Sequence, residues 1–138
     1  MEATWVASRP MDIVSALFVE NINLRQVPGP STRIDLSGVM FSLPAPEPVP
    51  VTIGPHLVVI IRCRENEPGN AILEVVFKDE AGEEVARNAS PFNVEPGKFT
   101  YRLVRGELTY QSYGTIEAHC RVDRGDWTVV PLTLLPPA

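Results

Sequence analysis

Leu57-Val58-Val59-Ile60-Ile61-Arg62-Cys63-Arg64 is the stretch whose reading decides the fold. It is short, rich in β-branched residues and preceded by Gly54-Pro55. Branched side chains crowd the preceding turn of a helix but pack well on a pleated surface, and an apolar run of this length is too short for a typical helix. A central β-strand is therefore predicted. Side chains alternate across a strand. Leu57, Val59, Ile61 and Cys63 then share one face, assigned to the core, while Val58, Ile60, Arg62 and Arg64 share the other.

The same alternation continues on both sides. Leu73, Val75 and Phe77 alternate with Glu74, Val76 and Lys78 in a predicted strand over 71–78. A second strand over 83–92 follows after Asp79-Glu80-Ala81-Gly82, where Gly82 can take the left-handed conformation a hairpin loop often needs. Strands are predicted over 99–107 and 113–122, the latter with Ile116, Ala118, Cys120 and Val122 opposite Thr115, Glu117, His119 and Arg121. Asp123-Arg124-Gly125-Asp126 turns the chain into a run over 127–135, a second hairpin with its glycine between alternating segments. Toward the N-terminus, runs over 13–20 and 32–43 complete a set of eight. Residues 43–55 carry Pro44, Pro46, Pro48, Pro50 and Pro55. Proline supplies no ladder donor, so this piece is an extended connector or an edge. Helix formers occur in series only over 80–89, enough for one short turn.

Short alternating runs separated by turn chemistry make the chain all-β: a two-sheet antiparallel sandwich, immunoglobulin-like or jelly-roll-like, of about seven to nine strands. A partly open barrel is the alternative. The 138 residues suit a single sandwich domain over 11–138, long enough to bury a core without staples. Residues 1–10 read as a loose N-terminal leader, with Met11 a possible true start.

Charge narrows the function classes. With 12 basic and 17 acidic residues the net charge is -5, and no basic run occurs, which argues against binding nucleic acid through its phosphates. The apolar stretch 13–19 is too short to span a bilayer and sits between Asp12 and Glu20, so neither membrane insertion nor secretion is expected and the cytoplasm is the expected location. Two cysteines, Cys63 and Cys120, are too few for a disulfide scaffold. The aromatic partners of an immunoglobulin disulfide are missing, and two reduced, buried thiols are expected.

Three blocks carry a resemblance: Ala16-Leu17-Phe18-Val19-Glu20-Asn21, Gly54-Pro55-His56-Leu57-Val58-Val59, and Val76-Phe77-Lys78-Asp79-Glu80-Ala81-Gly82-Glu83-Glu84-Val85-Ala86. Together they resemble a family of small bacterial β-sandwich domains of unknown function. The resemblance implies the sandwich fold and a bacterial intracellular setting, and it implies no catalytic residue.

No constellation compels a chemistry. Glu117 and His119 share a strand face and His56 could join them from another strand, but scattered ligands of this kind do not have metal-site spacing. Thiols on a core face stay protonated and inert, and no Gly-x-Ser-x-Gly elbow or phosphate-binding loop occurs. Asp79, Glu80, Glu83 and Glu84 cluster at one hairpin tip rather than facing each other across a cleft. No catalytic residue, metal or cofactor is expected. The candidate binding surface is Tyr110, Tyr113, Glu117 and His119. The candidate interface is Val58, Ile60 and Val76, an apolar stripe opposite the core face that needs covering. The expected function is a non-enzymatic protein-interaction or self-assembly module, a homodimer or the partner of another protein. A small-ligand or glycan-binding sandwich is the alternative, and a phage or particle structural subunit a more remote one.

Overall fold

The computed structural model describes residues 11–29, 31–65 and 67–138; the expected leader over 1–10 lies outside the described residues. These residues form twelve strands and no helix: β1 (Met11–Val19), β2 (Asn21–Val27), β3 (Ser31–Ser37), β4 (Ser42–Pro44), β5 (Val51–Ile53), β6 (His56–Cys63), β7 (Asn70–Lys78), β8 (Glu84–Asn93), β9 (Phe99–Arg105), β10 (Leu108–Tyr110), β11 (Gly114–Val122) and β12 (Thr128–Leu135).

Two main sheets carry the fold. One has the order β1-β6-β9 and the other β4-β12-β11-β7-β8. The ribbons β5-β10 and β2-β3 are separate two-stranded pairs. Every pairing is antiparallel except the short parallel one between β4 and β12. Among the described residues no sheet closes into a barrel. The fold is a β-sandwich, and its core is one cluster between the sheets. It gathers Phe18, Leu57, Val59 and Ile61 from the first sheet and Leu73, Val75, Phe77, Ile116, Ala118 and Leu132 from the second.

β6 lies at the centre of its sheet, between β1 and β9, because both its faces are largely apolar. Leu57, Val59, Ile61 and Cys63 are all inward and fully buried. Each such aliphatic burial is worth ~1.5–3 kcal/mol relative to exposure, so this one strand anchors a large part of the fold. β1 meets β6 with a register shift between Ile13 and Ser15, which lets Ile13, Ala16 and Phe18 all reach the core.

Twelve strands exceed the expected seven to nine, for two reasons. The single expected run over 32–43 breaks at Gly38, whose φ of +67° does not fit a ladder, leaving β3 and β4. The others missed are β2 and the three-residue β5 and β10, too short to show periodicity. The proline-rich piece includes β5 and the end of β4, where Pro44 sits on a sheet edge as its missing donor requires. Residues 84–89 of the helix-forming series are strand instead, because pairing with β7 outweighs intrinsic propensity.

Both expected hairpins form. In the first, Gly82 has φ +81°, and the Asp79 carboxylate accepts 3.0 Å bonds from the Ala81 and Glu83 amides. In the second, the left-handed residue is Asp123 (φ +52°), not Gly125. Asp123 takes that conformation because it is held from both ends. Its amide donates to the Ile72 carbonyl (2.9 Å), and its carboxylate accepts the Ile72 amide (3.0 Å), so the turn extends the β11-β7 pairing.

Candidate functional site

Tyr110, Tyr113, Glu117 and His119 are not gathered into one surface. Glu117 and His119 sit two apart on β11, on the face turned away from the core, with His119 Nε2 3.3 Å from Glu117 Oε1. They line a cleft of about 590 Å³ with Lys78, Asp79, Glu80, Gly82 and Thr115. Tyr110 lines a neighbouring cleft of about 240 Å³, between the Asp79–Ala81 tip and residues 109–116. Its ring, however, is buried, and its hydroxyl donates a 2.7 Å bond to the Leu132 carbonyl. Burial holds that phenol well above its ordinary pKa. Tyr113 is exposed and lines neither cleft. The ligand-binding reading thus keeps its His119–Glu117 half and lacks the pair of ring faces on which a sugar would stack.

His56 begins β6 in the other sheet and lines a different cleft, with Val19, Glu20, Met40 and Leu43. Among the described residues, no three of His, Cys, Asp and Glu come together as a metal site would require. Cys63 and Cys120 are both buried and unpaired. Desolvation pushes the Cys120 thiol up to about 12, so it carries negligible thiolate near neutrality. The Cys63 thiol faces the carbonyls of Arg64, Glu67 and Pro68 at 3.6–3.9 Å, contacts that suit a weak S–H donor.

The outer face of the five-stranded sheet is a charged ladder that sequence reading missed. Arg121 lies 4.2 Å over the Trp127 ring and donates a 2.8 Å bond to Glu74. Glu74 also pairs with Arg87, which reaches Glu84 at 2.8 Å. Val76 lies on this face between His119 of β11 and Arg87 of β8 and is buried. It is therefore not part of one stripe with Val58 and Ile60, which stand on the other sheet.

The outer face of the three-stranded sheet is different in kind. Cross-strand rows there read Asp12-Arg62-Phe99, Ser15-Ile60-Tyr101, Leu17-Val58-Leu103 and Val19-His56-Arg105. Val58, between Leu17 and Leu103 in its row, is only 1% exposed. Ile60 is half-buried, whereas Leu103 is 44% exposed and Phe99 60%. None of Leu17, Val58, Ile60, Tyr101, Leu103 and Phe99 belongs to the core cluster. The apolar centre is bounded by Arg62 at one end and Arg105 at the other, neither paired with a carboxylate among the described residues. Arg25, Arg64, Arg87, Lys98 and Arg121 do have such partners.

The β2-β3 hairpin is the second surface that sequence reading missed. It leaves the body where β1 ends: the Glu20 amide is held by the Ser37 and Gly38 carbonyls, and the Met40 amide donates to Phe18. Ile22, Ile34 and Leu36 are half-buried and Leu24 is exposed, and none of the four belongs to the core cluster. Ile22 pairs with Leu36 and Leu24 with Ile34 on one face, while Asn21, Asn23, Arg25, Arg33 and Asp35 occupy the other. The alternation of Ile22 and Leu24 with polar neighbours, then Ile34 and Leu36, was a usable signal for two strands around Pro28-Gly29.

Compared with known proteins, the chain matches no protein-family model and no curated protein.

Proposed function

We propose that this chain is a non-enzymatic interaction module, which works by covering the outer face of its β1-β6-β9 sheet with protein. The observation that carries the reading is the apolar patch around Leu103 and Phe99, fully outside the core and bounded by Arg62 and Arg105. An exposed patch of contiguous large apolar side chains rimmed by charge is the usual mark of a recognition surface, whereas isolated ones need no explanation. The chemistry-bearing groups elsewhere support the same reading. Both thiols are buried, and burial keeps that of Cys120 protonated. Two unpaired cysteines suit a reducing compartment, and a cytoplasmic setting belongs to this proposal.

A photo-crosslinking benzophenone residue installed at Leu103 tests the reading in living cells, with the same residue at exposed Val129 on the other sheet as control. Protein adducts at position 103 and none at 129 are expected. Free, unreacted chain at position 103 sinks the proposal.

A further inference from the structure

The end strands of a sheet turn main-chain donors and acceptors outward, and proteins either protect such an edge or use it. The two main sheets end in β1, β9, β4 and β8. β1 carries the register shift between Ile13 and Ser15, and Met40 bridges to Phe18 near its end. β4 spans three residues and includes Pro44. β8 contains Pro91 and meets β7 with a register shift beside Lys78. Bulges and missing donors hinder the pairing of a further strand. β9 has neither. It meets β6 in unbroken register over its whole length, and among the described residues no other main-chain group bonds to it.

The flanking bonds fix which residues face the open edge. The Cys63 amide donates to the Lys98 carbonyl (2.9 Å), and the Gly106 amide to the Pro55 carbonyl (3.2 Å). Antiparallel pairs alternate between bonded and non-bonded, so Thr100, Arg102 and Val104 turn their main chain to β6. Phe99, Tyr101, Leu103 and Arg105 turn theirs outward. The Arg102 side chain points to the inner side of the sheet, since its partner Val59 is a core residue. It is half-buried, and neither Arg102 nor Arg105 pairs with a carboxylate among the described residues. We infer that β9 takes up an extended, acidic segment of a partner protein as a fourth strand of its sheet. This rests on the interaction reading above and names the chemistry of the partner and its mode of attachment. Main-chain bonds to the outward groups supply affinity, and alternate side chains supply specificity. Acidic positions of the added strand fall opposite Arg102, and apolar positions beside Tyr101 and Leu103. Charge argues against a second copy of β9. Antiparallel self-pairing centred on Tyr101, Arg102 or Leu103 sets the two Arg102 side chains opposite or diagonal to each other, and the strand holds no carboxylate to offset them. One added strand buries less than a standard interface, so the contact is of the transient kind.

The test uses the full chain and two fluorescein-labelled synthetic peptides, one alternating valine with glutamate and the other valine with lysine. Fluorescence anisotropy should show the glutamate peptide bound, more weakly as salt rises, and the lysine peptide free. Amide hydrogen exchange should slow at Tyr101 and Leu103 in the complex, because those donors become bonded. Arg102→Glu should weaken binding about tenfold or more. Leu103→Pro deletes an outward amide where an edge strand tolerates proline, so it should abolish binding while circular dichroism still reports the β fold. Equal binding of both peptides, no binding of either, an Arg102→Glu chain that binds as wild type, or a complex in which the Tyr101 and Leu103 amides exchange freely would overturn strand addition. Any of these together with protein adducts at position 103 in cells defeats strand addition alone; without adducts, the interaction reading falls as well.

Discussion

The Tyr110 hydroxyl donates a 2.7 Å hydrogen bond to the main-chain carbonyl of Leu132. One residue ends β10 and the other lies in β12, so this bond fastens the small β5-β10 ribbon to the five-stranded sheet. It also removes Tyr110 from any recognition role, since the ring is buried and its polar end is spent inside. Tyr110→Phe keeps the ring and deletes the donor. The expected loss is ~1 kcal/mol, somewhat more if no water reaches the freed carbonyl, read as a lower urea midpoint with unchanged slope. An unchanged midpoint would mean that the ring packing alone holds the ribbon.

Glu74 should make the sheet face acid-labile. The hydrogen bond from Arg121 outweighs desolvation and holds its carboxyl below the ordinary value of 4.5, with the charge of Arg121 and then Arg87 adding to the lowering. A carboxyl with a depressed folded-state pKa contributes stability that is complete above its ordinary pKa and lost as pH falls through the folded value. Glu74→Gln is therefore expected to lower Tm at neutral pH, and the gap to wild type should close below about pH 4.5. A gap that stays constant through that range would assign the loss to packing instead of charge.

The two thiols should be silent in the folded protein. Cys63 and Cys120 are both fully buried, and burial pushes Cys120 up to about 12. An aromatic disulfide reagent at mildly alkaline pH is expected to titrate neither until denaturant is added, after which both react. Rapid labelling of either thiol under native conditions would reopen nucleophilic chemistry for this chain.

Two glycines should respond differently to alanine. At Gly69 a Cβ would lie 1.8 Å from the main-chain carbonyl oxygen of Val94, an atom no side-chain rotation can move aside. That carbonyl belongs to the residue whose amide bonds Gly69 (2.9 Å), so relief of the clash breaks the contact that brings the two segments together. Gly69→Ala should cost ~3 kcal/mol or more, at the upper end of overpacking effects. At Gly82 there is open space and only the left-handed backbone to oppose a side chain, so Gly82→Ala should cost ~1–2 kcal/mol. Equal costs in thermal unfolding would contradict this difference.

Much of the fold was legible because its strands carry one buried face. Leu57, Val59, Ile61 and Cys63 alternate with Val58, Ile60 and Arg62, and the first set is in the core as the period demands. The β7-β8 hairpin followed from the same period together with Gly82. Elements that bury little, or that span three residues, left no such signature: β5 and β10 are recruited by pairing with each other, at Leu108-Ile53 and Tyr110-Val51. The candidate sites were less legible still. The reach of Tyr110 to Leu132 and the placing of Val76 among His119 and Arg87 depend on which strands become neighbours, not on any local pattern.

What the sequence determined by itself was the side each strand turns to water, because that choice depends only on the spacing of apolar residues along one chain segment. Which strands then lie side by side, and which apolar faces are left over once the core has closed, was decided only in three dimensions. Val58 and Val76 look alike as outward-facing valines. One is flanked by Leu17 and Leu103 in a neutral patch, and the other by His119 and Arg87 in a charged one. Long-range pairing sets those surroundings, and pairing register is a property of the whole sheet rather than of either strand.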